Sequence, residues 1–109
     1  MNATNKYKEQ QIKSASPTEL ITILYDMCLQ ACYRNDGQRV HDILGQLIKA
    51  LNFDYEMAGD MYSLYEYCQR AAQKGDFDEV ESIIGNIREA WNQGVVQKQK
   101  SKKSLNFKG

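Results

Sequence analysis

The sequence predicts an all-α protein, an antiparallel up-down-up-down four-helix bundle, and three observations carry that reading. The 109 residues contain a single proline, Pro17, and a chain with so few helix breakers and so many Leu, Ile, Ala, Glu, Gln and Lys favours helix almost throughout. Four segments repeat apolar residues at helical spacing, and none alternates with period two over a strand length. The four are joined by short turns, so they must pack as antiparallel neighbours.

Residues 1–13 are polar apart from Tyr7 and Ile12 and read as a flexible arm. Ser16-Pro17-Thr18-Glu19 then supplies an N-cap serine, a proline at the first helical position and a glutamate placed to close a capping box. The first helix is expected over 17–34. Leu20, Leu24, Met27 and Ala31 form one stripe, and Ile21, Tyr25, Cys28 and Cys32 form its neighbour. Asn35-Asp36-Gly37 stops the helix by supplying turn hydrogen bonds and a tolerated positive φ.

The second helix is expected over 38–52, with Val40, Ile43, Leu44, Leu47, Ile48 and Leu51 at i, i+3, i+4, i+7, i+8 and i+11. The third is expected over 57–74, with Met57, Met61, Leu64, Tyr65, Cys68 and Ala72 inward. Gly59 weakens its first turn by roughly 1 kcal/mol relative to alanine, which moves the expected start towards Asp60. Lys74-Gly75-Asp76 combines a left-handed glycine with an aspartate able to cap the next helix. The fourth helix, over 77–93, buries Phe77, Val80, Ile83, Ile84 and Ile87 and sets Trp91 at its core end. One domain therefore covers 1–94, and the lysine-rich tail from 95 to 109 reads as disordered. Leu24 to Ala31 and Leu64 to Ala71 share the pattern Leu-Tyr-acid-x-Cys-x-x-Ala, which equivalent packing positions, chance or duplication would each explain.

The formal charge is zero, but it is unevenly placed. All 14 acidic residues lie at or before Glu89, and Lys98, Lys100, Lys102, Lys103 and Lys108 follow it, which leaves −5 on the body and +5 on the tail. An acidic body offers no footprint for nucleic acid, whose binding rests on phosphate neutralisation. No stretch of 18 apolar residues and no apolar leader is present, so membrane insertion is not expected and a cytoplasmic location is. Three cysteines without a secretion signal argue for reduced thiols packed as small apolar groups.

Cys28, Cys32, Cys68 and His41 are the set to weigh for zinc, because cysteines at i and i+4 share a helix face. Buried thiols are the preferred reading, since the usual Cys-x-x-Cys knuckle is missing and His41 lies across a turn. A Cys-His nucleophile lacks an orienting third group, and no phosphate-binding loop occurs. The chain is therefore expected to be no enzyme and to hold no cofactor. Tyr55, Tyr62, Tyr65 and Tyr67 crowd one helix that needs one or two aromatics inward, so some should face a surface or groove, where amphipathic rings anchor partners.

Residues Tyr7, Gln11 and Ile12, then Ala15-Ser16-Pro17-Thr18-Glu19-Leu20-Ile21 and Leu24-Tyr25-Asp26, resemble the FliS family of flagellin export chaperones. Leu64-Tyr65-Glu66-Tyr67 resembles the family's third helix, and Arg88-Glu89-Ala90-Trp91 resembles its fourth. The chain is a shortened version, with the first two helices shorter by roughly two turns each and a shorter last hairpin. Both trims fall at one end of the bundle. The resemblance implies a cytosolic chaperone that binds the C-terminal helical segment of flagellin and prevents premature polymerisation before type III secretion. It also implies that the N-terminal segment can lie over the client groove, where Tyr7 and Ile12 match. The expected partner-binding residues are Tyr7, Gln11, Ile12, Ile21, Tyr25, Leu47, Leu51, Tyr62 and Tyr65. The alternatives are a similar bundle that binds another client or associates weakly with itself, and a metal-binding bundle.

Overall fold

The structure is a computed structural model that describes residues 13–95. Four α-helices follow one another: α1 Pro17–Tyr33, α2 Gly37–Lys49, α3 Ala58–Gln73 and α4 Phe77–Ala90, the last running into a wide π-type turn over Trp91–Val95. Helix α1 packs on α2 and α4, and α3 packs on the same two. The result is a closed ring of four antiparallel helices, as the pattern and turn lengths require.

The start of α1 is fixed by the capping box. Glu19 N–H donates to Ser16 Oγ at 3.2 Å, and Ser16 N–H donates to Glu19 Oε1 at 3.0 Å, which satisfies two backbone donors that the first turn leaves open. Lys13 and Ser14, at the border of the expected arm, are already helical, and Ala15 and Ser16 interrupt the helix before Pro17.

The two hairpin turns are copies of each other. After α1, Asn35 N–H bonds Cys32 C=O at 3.0 Å and Asp36 N–H bonds Ala31 C=O at 2.9 Å; after α3, Gly75 N–H bonds Ala72 C=O at 3.0 Å and Asp76 N–H bonds Ala71 C=O at 2.9 Å. This is the Schellman closure, which needs a left-handed residue at its centre. Asn35 (φ 57°) and Gly75 (φ 78°) supply it. Each turn then caps the next helix, Asp36 accepting from Arg39 N–H at 3.2 Å and Asp76 from Glu79 N–H at 3.3 Å. Gly37 is not part of the turn as expected but opens α2. A Cβ there would meet Ala72 C=O at 3.4 Å and the Phe77 ring at 3.5 Å, ordinary contact distances, so the start of α2 lies against the second hairpin.

The likeness extends through both hairpins. Tyr25, Cys28, Ala31, Val40 and Leu44 are buried, and so are Tyr65, Cys68, Ala71, Val80 and Ile84, each forty residues on. The likeness breaks where it matters for shape. Leu24 is buried, whereas Leu64, expected inside, is 37% exposed; Ile43 and Leu47 are buried, whereas Ile83 and Ile87 are only partly covered.

Boundaries also differ from the periodicity. Helix α2 ends at Lys49, three residues before the expected Asn52, because the chain turns at Asn52, whose side-chain Oδ1 accepts from Asp54 N–H at 2.9 Å. Helix α3 starts at Ala58 with Met57 before it and no side-chain cap. Helix α4 keeps regular geometry only to Ala90, and the expected stretch to 93 falls in the π-type turn, which Gly94 leaves with non-helical dihedrals.

Candidate functional site

The ends of the bundle are unlike. One is closed by the two tight turns, and the other is spread by the eight-residue connection between α2 and α3. There the start of α1, the end of α2, the start of α3 and the end of α4 surround an open cleft of about 380 Å³.

The cleft is built upward from its floor. Tyr25 and Tyr65 lie deepest, at 1% and 2% exposure, and their hydroxyls bond each other at 2.6 Å. A buried hydroxyl without a partner is costly, so the mutual bond is what allows two tyrosines to meet in an apolar layer. Burial pushes both phenols above the ordinary tyrosine range. Trp91 forms a wall, its ring edge-on to Tyr25 with centroids 6.1 Å apart and planes at 79°. Its indole nitrogen is buried and makes no hydrogen bond. Beside this group Asp26 and Arg88 form a two-pronged ion pair that ties α1 to α4.

Ile21, Leu47, Leu51, Met61 and Ile87 complete the apolar sides, and Tyr55 and Met57 stand at the rim, each about two-fifths exposed. None of the sixteen lining residues carries a charge. Such a surface binds by burying apolar area and by shape.

The structure gathers Ile21, Tyr25, Leu47, Leu51 and Tyr65 of the expected site around this cleft. Tyr62 is not among them. It lies on the outer side of α3, 37% exposed, its hydroxyl donating to Glu66 at 2.9 Å and its ring edge-on to Phe53. Tyr65, Met61 and Ala58 follow each other at helical spacing and share the inward face, which turns Tyr62 away. Tyr7, Gln11 and Ile12 lie outside the described residues. Pro17, Thr18, Met57, Met61, Ile87 and Trp91 line the cleft, although the sequence marks them only as helix-start or core residues and not as partner-binding ones. Trp91 could have been found, since the end of α4 must face the start of α1 in an antiparallel bundle.

Cys28, Cys32 and Cys68 are buried in the helix layers below the floor, as small apolar groups would be. Burial, with the nearby Cys32 and Glu79, raises the Cys68 thiol to about 12. Among the described residues no three His, Cys, Asp or Glu side chains come together as a metal site. No described helix is long and apolar enough to cross a membrane.

Fold and site together define a four-helix bundle whose open end presents an uncharged aromatic cleft. The chain matches the family described as flagellar protein FliS over residues 1–99, and it belongs to that family, one of flagellar export chaperones and not of enzymes. A comparison with curated proteins finds no match. The segments that resemble the family converge in space: Tyr25 and Asp26 from the first, Tyr65 from the second, and Arg88 and Trp91 from the third meet at or beside the cleft floor.

Proposed function

We propose that this chain is a cytoplasmic export chaperone that binds the C-terminal helical segment of flagellin and keeps it from polymerising before type III secretion. The observation that supports this is the cleft itself: uncharged, floored by paired tyrosines, open at one end, and lined in part by segments that carry the family likeness, among them Ile21, Tyr25, Tyr65 and Trp91. An amphipathic helix laid into such a groove buries its apolar face, as helix-in-groove recognition requires. Ile21, Tyr25, Leu47, Leu51 and Tyr65 are assigned to that contact, with Tyr62 on the neighbouring outer surface. Tyr7, Gln11 and Ile12 are assigned to it because the chain enters α1 through Pro17 and Thr18, which form one edge of the cleft. Capture of tagged chain from cells lysed during flagellar assembly tests the proposal. Flagellin should be the main co-purifying protein, and its absence would count against the assignment.

The second reading is a different client or weak self-association. The exposed Phe53–Tyr62 pair favours it, since two edge-on rings outside the cleft are a surface that another protein could cover.

A further inference from the structure

We propose that the cleft consists of two matched half-sites, accepts an amphipathic helix in either direction, and sets that direction by the size of the helix's side chains through the pair Leu51 and Trp91. The inference rests on the reading above only for the cleft being where a helix binds, not for flagellin being the client.

The first observation is an offset within the lining. Fourteen of the sixteen lining residues form seven pairs whose members stand forty positions apart: Ile21 answers to Met61, Tyr25 to Tyr65, Leu47 to Ile87 and Leu51 to Trp91, and the same offset joins the other three pairs. Helices α1 and α3 run the same way in an up-down-up-down bundle, so the offset is a half-turn about an axis along the bundle. The Tyr25–Tyr65 hydroxyl bond joins the two halves at the floor. Leu47 is fully buried and Ile87 only partly covered, but both are aliphatic walls.

The second is electrostatic. A helix laid across the mouth has its two ends exchanged by that half-turn. The starts of α1 and α3 bring partial positive charge to the mouth, the ends of α2 and α4 bring partial negative charge, and the half-turn maps each kind onto itself. With no charged side chain in the lining, the cleft gives the dipole of a bound helix no preferred direction. The polar face of that helix does meet charge. Asp54, Glu56 and Asp60 are exposed in the connection and first turn of α3, and no lysine or arginine occurs from 50 to 69, so basic residues suit the face turned to the rim.

The third is size. Leu51 and Trp91 are the one pair that sets an aliphatic chain against an aromatic ring. Trp91 already fills its half against Tyr25, with ring centroids 6.1 Å apart. In the other half Leu51 is shorter, and Asn52 and Tyr55, the two lining residues without a counterpart in the lining, extend the wall beside it. A bulky side chain of the bound helix therefore fits beside Leu51 and overpacks against Trp91, whichever end of the helix carries it. The occupant is an amphipathic helix with a basic polar face and one large ring near one end.

The test uses the full chain with its alanine methyls labelled, because Ala50 and Ala90 are a matched pair in the lining. Two Leu/Lys amphipathic helical peptides are titrated in, one with a phenylalanine near its N-terminal end and one near its C-terminal end, each bearing a nitroxide beside the phenylalanine. With both peptides the nitroxide should broaden the Ala50 methyl more than the Ala90 methyl, the two orientations being populated about tenfold apart. Leu51→Trp/Trp91→Leu, verified as folded by circular dichroism, should move the stronger broadening to Ala90. Trp91→Leu alone, a milder change, should bring the two methyls towards equality. The proposal is overturned if the same end of both peptides lies by Ala50, since backbone polarity then sets the direction, or if neither variant changes the ratio. It is also overturned if the ratio collapses in the parent at 1 M salt, where the Debye length is about 3 Å, because the acids of the rim then decide. A C-terminal flagellin peptide labelled at either end is run beside them. Flagellin binding with a Leu/Lys ratio that ignores both variants rejects the inference and leaves the client; the expected Leu/Lys behaviour without flagellin binding rejects the client and leaves the inference. Binding of no peptide rejects both.

Discussion

Tyr25 and Tyr65, forty residues apart, share one buried hydrogen bond at the point where the two hairpins of the bundle meet. Each hydroxyl is the other's partner, so the pair must be kept or lost as a unit. Tyr25→Phe or Tyr65→Phe alone should cost about 1–3 kcal/mol, because the remaining hydroxyl is left buried and unsatisfied. The double phenylalanine variant should cost clearly less than the sum. A double-mutant cycle from urea denaturation measures this, and strictly additive losses would show that the bond does not couple the helices.

Alkaline pH should loosen the same layer. Burial holds the Tyr25 and Tyr65 phenols above their ordinary value and raises the Cys68 thiol from 9.0 to about 12. The folded state therefore keeps protons that the unfolded chain releases. That contribution is complete below the unfolded values and is lost as pH rises through and above them. The urea midpoint should fall as pH climbs from 9.0 towards 12, and Cys68→Ala should remove part of the slope. A midpoint that is constant over this range contradicts the burial of these groups.

Backbone closure gives a separate prediction. Ser16→Ala should destabilise by about 1 kcal/mol through loss of the cap acceptor, and Gly75→Ala by about 1–2 kcal/mol because its φ of 78° suits glycine. Asn35→Gly, at the equivalent position, should be neutral or mildly stabilising. Thermal melts of the three variants check the order. Equal stability of Gly75→Ala and parent would show that the second turn is not closed as described.

Trp91 should matter more for binding than for folding. The periodicity puts it at the core end of the last helix, but the structure makes it a half-covered cleft wall whose indole N–H has no partner. Trp91→Ala should therefore cost less than the roughly 3–5 kcal/mol of a fully buried aromatic. It should weaken a flagellin peptide by about tenfold or more, as loss of an aromatic anchor does. A large stability loss with unchanged peptide affinity would return Trp91 to the core.

Most of the bundle was legible because its signals are local. Ser16 with Glu19, Asn35 with Asp36, and Gly75 with Asp76 each fix a helix end through hydrogen bonds that neighbouring residues make. The connection between α2 and α3 was not legible: Leu51, Phe53 and Tyr55 are apolar and continue the pattern past Lys49, and Met57 gives no capping oxygen to mark the start of α3. The site was legible in part. Ile21, Tyr25, Leu47, Leu51 and Tyr65 belong to inward stripes that end at the cleft, but a single periodicity does not separate a floor from a neighbouring outer face, where Tyr62 lies. Leu64 illustrates the same gap. Its counterpart Leu24 is buried, and only the unequal packing of the two hairpins decides that Leu64 is not.

The most direct test of the account is calorimetric titration of a peptide from the C-terminal end of the same organism's flagellin into the full-length protein, at low and high salt. Saturable binding is expected, with a negative heat-capacity change and little weakening by salt, because the lining of the cleft is uncharged. Tyr62→Ser, outside the cleft, should leave the affinity nearly unchanged, whereas Leu51→Ser, in its wall, should lower it. An absence of binding at either salt concentration would contradict the client assignment, and binding that vanishes with salt alone would contradict the apolar cleft as its seat.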